Sequence, residues 1–188
     1  LIIDIKENYQ SKIKNIDFKG NKTFSDKLLY SKILSKDLSF YNIFTKGSNF
    51  DLSQFDFDKN KILNFYKDKG FTNAIVNYEI SKTLMNSYKL VFFIKENDRK
   101  KVNKVNYLLD NNFKEIVTKP IEKFEKKLKK NQNYYDFDLI DDFLIQINQT
   151  LMSNNIHDFF IDVDVINEDD NFTLNLIRKN NNPKKINK

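Results

Sequence analysis

The side chains that could carry out chemistry are few and scattered in this sequence. His157 is the only histidine and there is no cysteine, so a multi-histidine or thiolate metal site cannot be assembled. A Ser-His-Asp triad would need His157, whose position at the start of a predicted strand is typical of a surface or capping residue. Asp141 and Asp142 are helix neighbours that do not face each other, and turn chemistry explains Glu168–Asp170 more simply than a weak calcium site does. We therefore expect no catalytic residues, no cofactor, no metal site and no enzymatic activity.

The charge of the chain is the next candidate for a binding function. There are 32 basic and 26 acidic residues, a formal net charge of +6. Only Arg99 and Arg178 are arginines, the residue type that recognises phosphates and bases through paired hydrogen bonds, so we expect no nucleic-acid partner. The lysine-rich stretch Lys123–Lys130 is interpreted as the solvated face of a helix, with anionic lipid or a partner as a minor alternative.

The elements that could position a binding site repeat along the chain. Aligning Gly70 with Asn155, the residues best able to adopt the left-handed conformation that ends a helix, gives two copies 85 residues apart. Val76 then falls on Ile161. No stretch approaches the roughly 18 to 20 apolar residues of a membrane helix. Separately, we expect the sequence to be a segment of a longer protein.

A second recurring signal marks the boundaries of the repeats. A strand end and a polar hinge occur at Ile5–Asn8, at Ile94–Asn97 and, more weakly, at Arg178–Asn181, each followed by the start of another strand. The expected organisation is the last strand of a preceding unit at residues 1–9, complete units at 10–97 and 98–181, and the start of a following unit at 182–188.

Within the first unit the apolar pattern predicts the order strand, helix, helix, strand, strand. Ser25 is expected to cap the first helix and Gly70 to end the second, with a loop over residues 36–51 between them. The apolar helix positions are Leu28, Leu29, Ile33, Ile62, Phe65 and Tyr66, and strands are expected at about residues 13–18, 72–80 and 87–94.

The second unit is predicted to follow the same order. Its first strand is expected at residues 102–108 and its final hairpin at 159–166 and 172–177. Pro120 suits the first turn of a helix, so that helix is expected to run from Pro120 to about Lys129, after a linker or extra turn at 110–119. Asp136 or Asp138 is expected to cap the second helix, whose apolar positions are Ile140, Leu144, Ile147 and Leu151.

The first unit also carries short motifs in a fixed order. They are Phe18-Lys19-Gly20-Asn21, Phe24-Ser25-Asp26, Asp58 with Ile62 and Phe65-Tyr66, Gly70-Phe71, and Ala74 with Val76. Together they resemble the POTRA domain of outer-membrane barrel assembly proteins, and Phe40-Tyr41-Asn42 resembles the inter-helix loop of the third such domain. The second unit lacks the first turn motif and has Asn155 where glycine is usual, so its resemblance depends on the order of its elements.

The resemblance implies an α+β fold of two tandem POTRA-like βααββ domains, each a three-stranded mixed sheet with two helices packed on one face. It implies the third and fourth domains of a BamA-like outer membrane protein assembly factor, within the periplasmic portion of an outer membrane protein. The implied partners are unfolded outer membrane proteins, accessory lipoproteins of the assembly complex, and the C-terminal β-barrel of the same chain.

A sheet edge is the expected docking site, because an extended client can add a strand to unpaired N–H and C=O groups there. We expect this edge on the second strand of the first unit, at Asn73, Ile75, Asn77 and Glu79, whose polar members oppose self-aggregation. Two alternatives remain open. The edge could be only a solvated strand boundary, and the chain could be a basic αβ adaptor that binds anionic polymers or membrane surfaces.

Overall fold

The computed structural model describes residues 11–38, 49–83, 87–109 and 111–180. The segments predicted as parts of neighbouring units, at 1–9 and 182–188, and the loop Phe40-Tyr41-Asn42 lie outside these residues. The chain divides into two compact units, one of Leu1–Lys67 with Asn73–Asp98, the other of Asp68–Thr72 with Arg99–Lys188.

The first unit has the predicted order of elements. They are β1 (Lys12–Lys19), α1 (Asp26–Lys32), α2 (Leu52–Asp68), β2 (Ile75–Lys82) and β3 (Ser87–Lys95). The sheet has the order β1-β3-β2, with β1 parallel and β2 antiparallel to β3. The predicted three-stranded mixed sheet is therefore confirmed.

Two local signals define how the elements of this unit begin and turn. The Ser25 hydroxyl accepts a hydrogen bond from the Leu28 N–H at 3.4 Å, as a helix cap should. Gly20 follows β1 with a φ of +86°, and a Cβ added there would lie 2.1 Å from the carbonyl oxygen of Ile94. Only glycine fits this turn, because the backbone of β3 passes too close for any side chain.

The core of the first unit lies between the helices and one face of the sheet. Its fully buried side chains include Ile13, Leu29, Phe55, Ile62, Tyr66, Leu90 and Phe92. The predicted apolar positions Leu28 and Leu29 of α1 differ in burial, because adjacent helix residues point in different directions and only Leu29 enters the core. Leu28 remains 37% exposed.

The strand β2 starts at Ile75, three residues later than predicted. Thr72 and Asn73 form a turn instead, and the Asn73 carbonyl accepts a hydrogen bond from the side-chain amide of Asn97 at 2.6 Å. The strand also extends to Lys82, beyond the predicted end at Ile80.

The second unit repeats this architecture. Its elements are β4 (Lys101–Leu108), α3 (Asn111–Lys130), α4 (Phe137–Ser153), β5 (Phe159–Asn167) and β6 (Asn171–Asn180), and its sheet has the order β4-β6-β5. Asp136 rather than Asp138 caps α4, accepting from the N–H groups of Asp138 and Leu139. Asn155 has a φ of 61°, the left-handed conformation expected after the helix.

The predicted linker at residues 110–119 is wrong, because α3 begins at Asn111 and Pro120 lies inside it. Val117 is fully buried and Phe113 packs against the core, so the first half of the helix is held by apolar contacts. Proline lacks the N–H that would donate to the carbonyl four residues earlier, which is a cost inside a helix. In the first turn that N–H has no helical partner, so local sequence alone favours proline at a helix start. Core packing offsets that cost here.

Candidate docking edge

The outer side of β2 forms an edge of the first sheet. Within the described residues β2 pairs only with β3, and its register runs from Ile75 opposite Lys95 to Lys82 opposite Tyr88. The outer edge of β1 is different, because the Ile13 carbonyl there accepts from the N–H of Leu38 at 3.0 Å. Among the residues that the structure describes, the unpaired edge of the sheet is therefore on β2.

The structure places the four predicted docking residues in two different settings. Ile75, Asn77 and Glu79 are exposed and alternate with inward side chains such as Val76, which is buried. Asn73 is exposed but precedes the strand, and its carbonyl is already bonded to Asn97. Three of the four thus share one exposed face of β2.

The hydrogen-bonding groups of this edge come from other residues. The N–H of Thr83 donates to the carbonyl of Ser87 at 2.7 Å, and this pair continues the register of the hairpin. In an antiparallel ladder, hydrogen-bonded pairs alternate with non-bonded pairs. Residues 75, 77, 79 and 81 therefore point their N–H and C=O groups toward β3, and Val76, Tyr78 and Ile80 point theirs outward.

Side chains of α2 lie beside the edge without closing it. The Tyr78 hydroxyl donates to Asp56 at 3.2 Å, and its ring lies 6.1 Å from that of Phe55. Burial and then the hydrogen bond to Asp56 raise the pKa of Tyr78 above its ordinary value, so the phenol is neutral at physiological pH. In the described part of the chain, no side chain bonds the outward main-chain groups of Val76, Tyr78 or Ile80.

Residues that sequence reasoning assigned to the structural motif support the sheet from its ends. Phe18 stacks on Phe92 with ring centroids 5.6 Å apart. The Asn21 side-chain amide donates to the Phe24 carbonyl at 2.9 Å, which fixes the turn before α1. Gly70 has a φ of +91° and Phe71 is buried, consistent with their predicted place at the end of a helix.

Glu96, to which the sequence analysis gave no role, connects the end of β3 to α2 and to the turn before α1. Glu96 accepts hydrogen bonds from the Tyr66 hydroxyl at 2.9 Å and from the N–H and hydroxyl of Thr23 at 2.9 and 2.8 Å. Burial, followed by the bond to Glu96, raises the pKa of Tyr66, which keeps the phenol protonated. The recurring strand-end motif Ile94–Asn97 was the available signal for Glu96.

A second unassigned role belongs to Asp58, which has no exposed surface. Its two carboxylate oxygens accept from the N–H groups of Leu34 at 2.7 Å and Ser35 at 2.9 Å. The carboxylate therefore holds the segment after α1 against α2. Its place in the predicted helix motif was visible in the sequence, but its backbone partners were not.

The residues considered for catalysis or metal binding are exposed or take part in turn contacts. His157, Asp141 and Asp142 are exposed, and Glu168 accepts from the Thr173 hydroxyl at 2.9 Å within the β5–β6 turn. No group of three or more potential metal ligands occurs among the described residues.

Lysines of α3 lie on a solvated face, as interpreted from the sequence. Lys123, Lys126, Lys129 and Lys130 are exposed, while Phe124 and Leu128 point into the core. Across the described ranges, no helix is both long enough and apolar enough to cross a bilayer.

Comparisons with known proteins agree with this geometry. Residues 11–97 match the family model POTRA, described as a surface antigen variable number repeat. The outer membrane protein assembly factor BamA of Neorickettsia risticii (strain Illinois) is 29% identical over 97 residues, which cover 52% of this chain and 13% of that protein. The crystal structure of Haemophilus influenzae BamA POTRA3-5 has a TM-score of 0.51 at 14% identity, covering 91% of this chain and 66% of that one.

The two mixed three-stranded sheets, each with its pair of helices, define a protein of tandem α+β repeats. Residues 11–97 match the POTRA family model, and the chain has the fold of the solved tandem POTRA domains. The chain spans only 13% of the length of its BamA relative.

Proposed function

We propose that this chain docks extended segments of unfolded outer membrane proteins by adding them as a strand to the outer edge of β2. It is a periplasmic module of the outer membrane assembly machinery, corresponding to the third and fourth POTRA domains of a BamA-like factor. Accessory lipoproteins and the C-terminal β-barrel of the full-length protein are its further partners. The likeness to BamA and to POTRA structures supports this assignment.

The observation that carries the proposal is the row of outward main-chain groups on Val76, Tyr78 and Ile80. An added antiparallel or parallel strand bonds such groups through its own backbone, so it can be recognised with little regard to its side chains. Exposed Asn77 and Glu79 keep the outer face polar, which disfavours pairing between two copies of the chain. An extended client with alternating polar and apolar residues matches this combination.

Backbone chemistry of the client provides the sharpest test. We would titrate the 188-residue chain with a segment of about ten residues from an outer membrane strand and record amide NMR shifts. Two modified peptides would carry N-methyl groups on alternate residues, one peptide for each set. Because an added strand bonds through one of its edges, one modified peptide should lose binding and the other should keep it.

Expected shifts centre on the amides of Val76, Tyr78 and Ile80 and change little with salt. Equal binding of both methylated peptides would refute strand addition. Strongly salt-dependent shifts spread over Lys123–Lys130 would instead support the basic adaptor, because screening weakens exposed electrostatic contacts.

A further inference from the structure

The edge of the second sheet is occupied in part from within its own unit. The strand β5 holds the same place in its sheet as β2 does in the first. The N–H of Glu168 donates to the carbonyl of Asn171 at 2.9 Å, and this pair continues the β5–β6 register. By the same alternation, Ile161, Val163 and Val165 point their main-chain groups outward.

Two of these three residues already have side-chain partners. The Asn148 carboxamide of α4 accepts from the Ile161 N–H at 2.7 Å and donates to the Ile161 carbonyl at 2.8 Å. The Asp162 carboxylate accepts from the Val163 N–H at 2.8 Å. A carboxamide offers the same donor and acceptor as a peptide group, so Asn148 takes the place that a residue of an added strand would take.

Asn148 is itself held in position. Its side-chain nitrogen also donates to the carbonyl of Leu144 one turn earlier, at 2.9 Å. All three hydrogen bonds leave the carboxamide fixed between helix and strand, and a client would have to displace it to reach Ile161.

The first unit lacks this arrangement at the equivalent positions. The 85-residue offset matches the buried α2 residues one for one with buried α4 residues, pairing Phe55, Asp58, Ile62 and Tyr66 with Ile140, Phe143, Ile147 and Leu151. In that alignment Leu63 occupies the position of Asn148, and Asn77 that of Asp162. A leucine side chain cannot bond a strand edge, and within the described residues no side chain bonds the main-chain groups of Val76.

We propose that Asn148 is an edge plug: its carboxamide closes β5 and thereby directs an extended polypeptide to β2. The inference deepens the proposed function and rests on it, since it determines which of two similar edges a client uses. A client strand at β5 could not form the two main-chain hydrogen bonds at Ile161. Its affinity for β5 should therefore be weaker on the order of ten- to a hundredfold.

The plug can be tested first without any client. In Asn148→Leu, the Ile161 amide should exchange with deuterium at least about tenfold faster, because its acceptor is gone. The Asp162 amide, which points toward β6, should be unchanged and serves as the internal control. Asn148→Asp is the intermediate variant: it keeps an acceptor for the Ile161 N–H but cannot donate to the carbonyls of Leu144 and Ile161, so it should preserve only part of the Ile161 protection. If the exchange rate of the Ile161 amide is unchanged in Asn148→Leu, the proposed edge plug is refuted, independently of any result on peptide binding.

Client binding is then measured on the same variants. With the outer-membrane peptide used for β2, Asn148→Leu should gain a second set of shifts at Val163 and Val165. The reciprocal Leu63→Asn should slow exchange of the Val76 amide and weaken peptide binding at β2 on the order of tenfold. This variant still tests the proposal if Asn148→Leu fails to fold. A faster Ile161 amide without new shifts on β5 would overturn the directing role. Absence of shifts on β2 in the unmodified chain would instead refute the proposed function, while leaving the exchange result intact.

Discussion

Removing the Asp58 carboxylate should destabilise the first unit more than any exposed substitution on the same helix. Asp58 lies in the second turn of α2 with no exposed surface, and it accepts hydrogen bonds from the N–H groups of Leu34 and Ser35. Asp58→Ala deletes both acceptors and leaves two donors beside a small cavity.

The size of the effect follows from how the two donors are placed. Ser35 is fully buried, so its N–H would lose its partner with no water to replace it. Leu34 is 58% exposed as a residue, so its N–H can be partly rehydrated. A hydrogen bond to a charged group contributes about 1.5 to 3 kcal/mol, and we expect a total loss of about 3 to 5 kcal/mol for Asp58→Ala. Asp58→Asn keeps one acceptor but turns an N–H toward the other donor, and should lose about half as much.

Native-state hydrogen exchange measures this loss for the first unit alone. Amides of Leu90 and Phe92 in the central strand should exchange about a hundredfold to a few thousandfold faster in Asp58→Ala, since each 1.36 kcal/mol is about tenfold. Leu174, in the central strand of the second unit, is the internal reference.

Asp56→Ala is the matched control for this measurement. Asp56 lies on the same helix, bonds the Tyr78 hydroxyl at 3.2 Å and pairs with Lys59 at 3.5 Å, but its side chain is 58% exposed. Exposed pairs contribute less than about 1 kcal/mol, so exchange should rise less than about fivefold. If Asp58→Ala and Asp56→Ala accelerate Leu90 equally, the assignment of Asp58 as a buried backbone acceptor is wrong.

Three further substitutions test other parts of the fold. Gly20→Ala should cost the first unit at least about 2 kcal/mol in urea denaturation, because of its φ of +86° and the carbonyl of Ile94 2.1 Å from the added Cβ; an unchanged midpoint would contradict this. Tyr66 has a folded pKa above its unfolded value near 10, so its contribution is intact below about pH 10 and is lost as the pH rises toward the folded pKa. Tyr66→Phe, which cannot bond Glu96, should therefore be less stable than the unmodified chain at about pH 8 but lose less stability up to about pH 11, whereas parallel profiles would argue against the shift. Pro120→Ala should stabilise the second unit by about 1 to 2 kcal/mol, seen as a higher melting midpoint, because it restores a helical N–H; a lower midpoint would mean that the ring packs better than alanine.

Local rules predicted most element types and several of their ends. Ser25 at a cap and Gly70 after a helix require only short-range chemistry, and the structure has both. The error at Pro120 has the same origin, because its preference for a first turn is local while the burial of Val117 that extends α3 is not. Sequence patterns alone therefore locate starts and stops better than they weigh a local cost against core packing.

The residues that matter most at the edges needed tertiary structure. Neither the bonds of Asp58 to a segment 23 and 24 residues away nor the reach of Asn148 across 13 residues to Ile161 follows from spacing. One signal was available: both are polar residues at or beside the inward positions of an apolar helix. A buried polar side chain must find a partner, and main-chain groups at a sheet edge or helix end are the partners that remain unused.

The need of buried polar side chains and main-chain groups for partners explains a difference between the two units of the chain. The helix α2 runs beside β2, and α4 runs beside β5. In each unit, the residue next to the buried face of the helix, Leu63 or Asn148, determines whether the strand edge stays open. With leucine at position 63, no side chain in the described ranges bonds the outward groups of Val76, whereas Asn148 satisfies those of Ile161. Because the change affects one side chain and leaves the buried pattern intact, a repeat of the same fold can gain or lose a docking edge without changing its core.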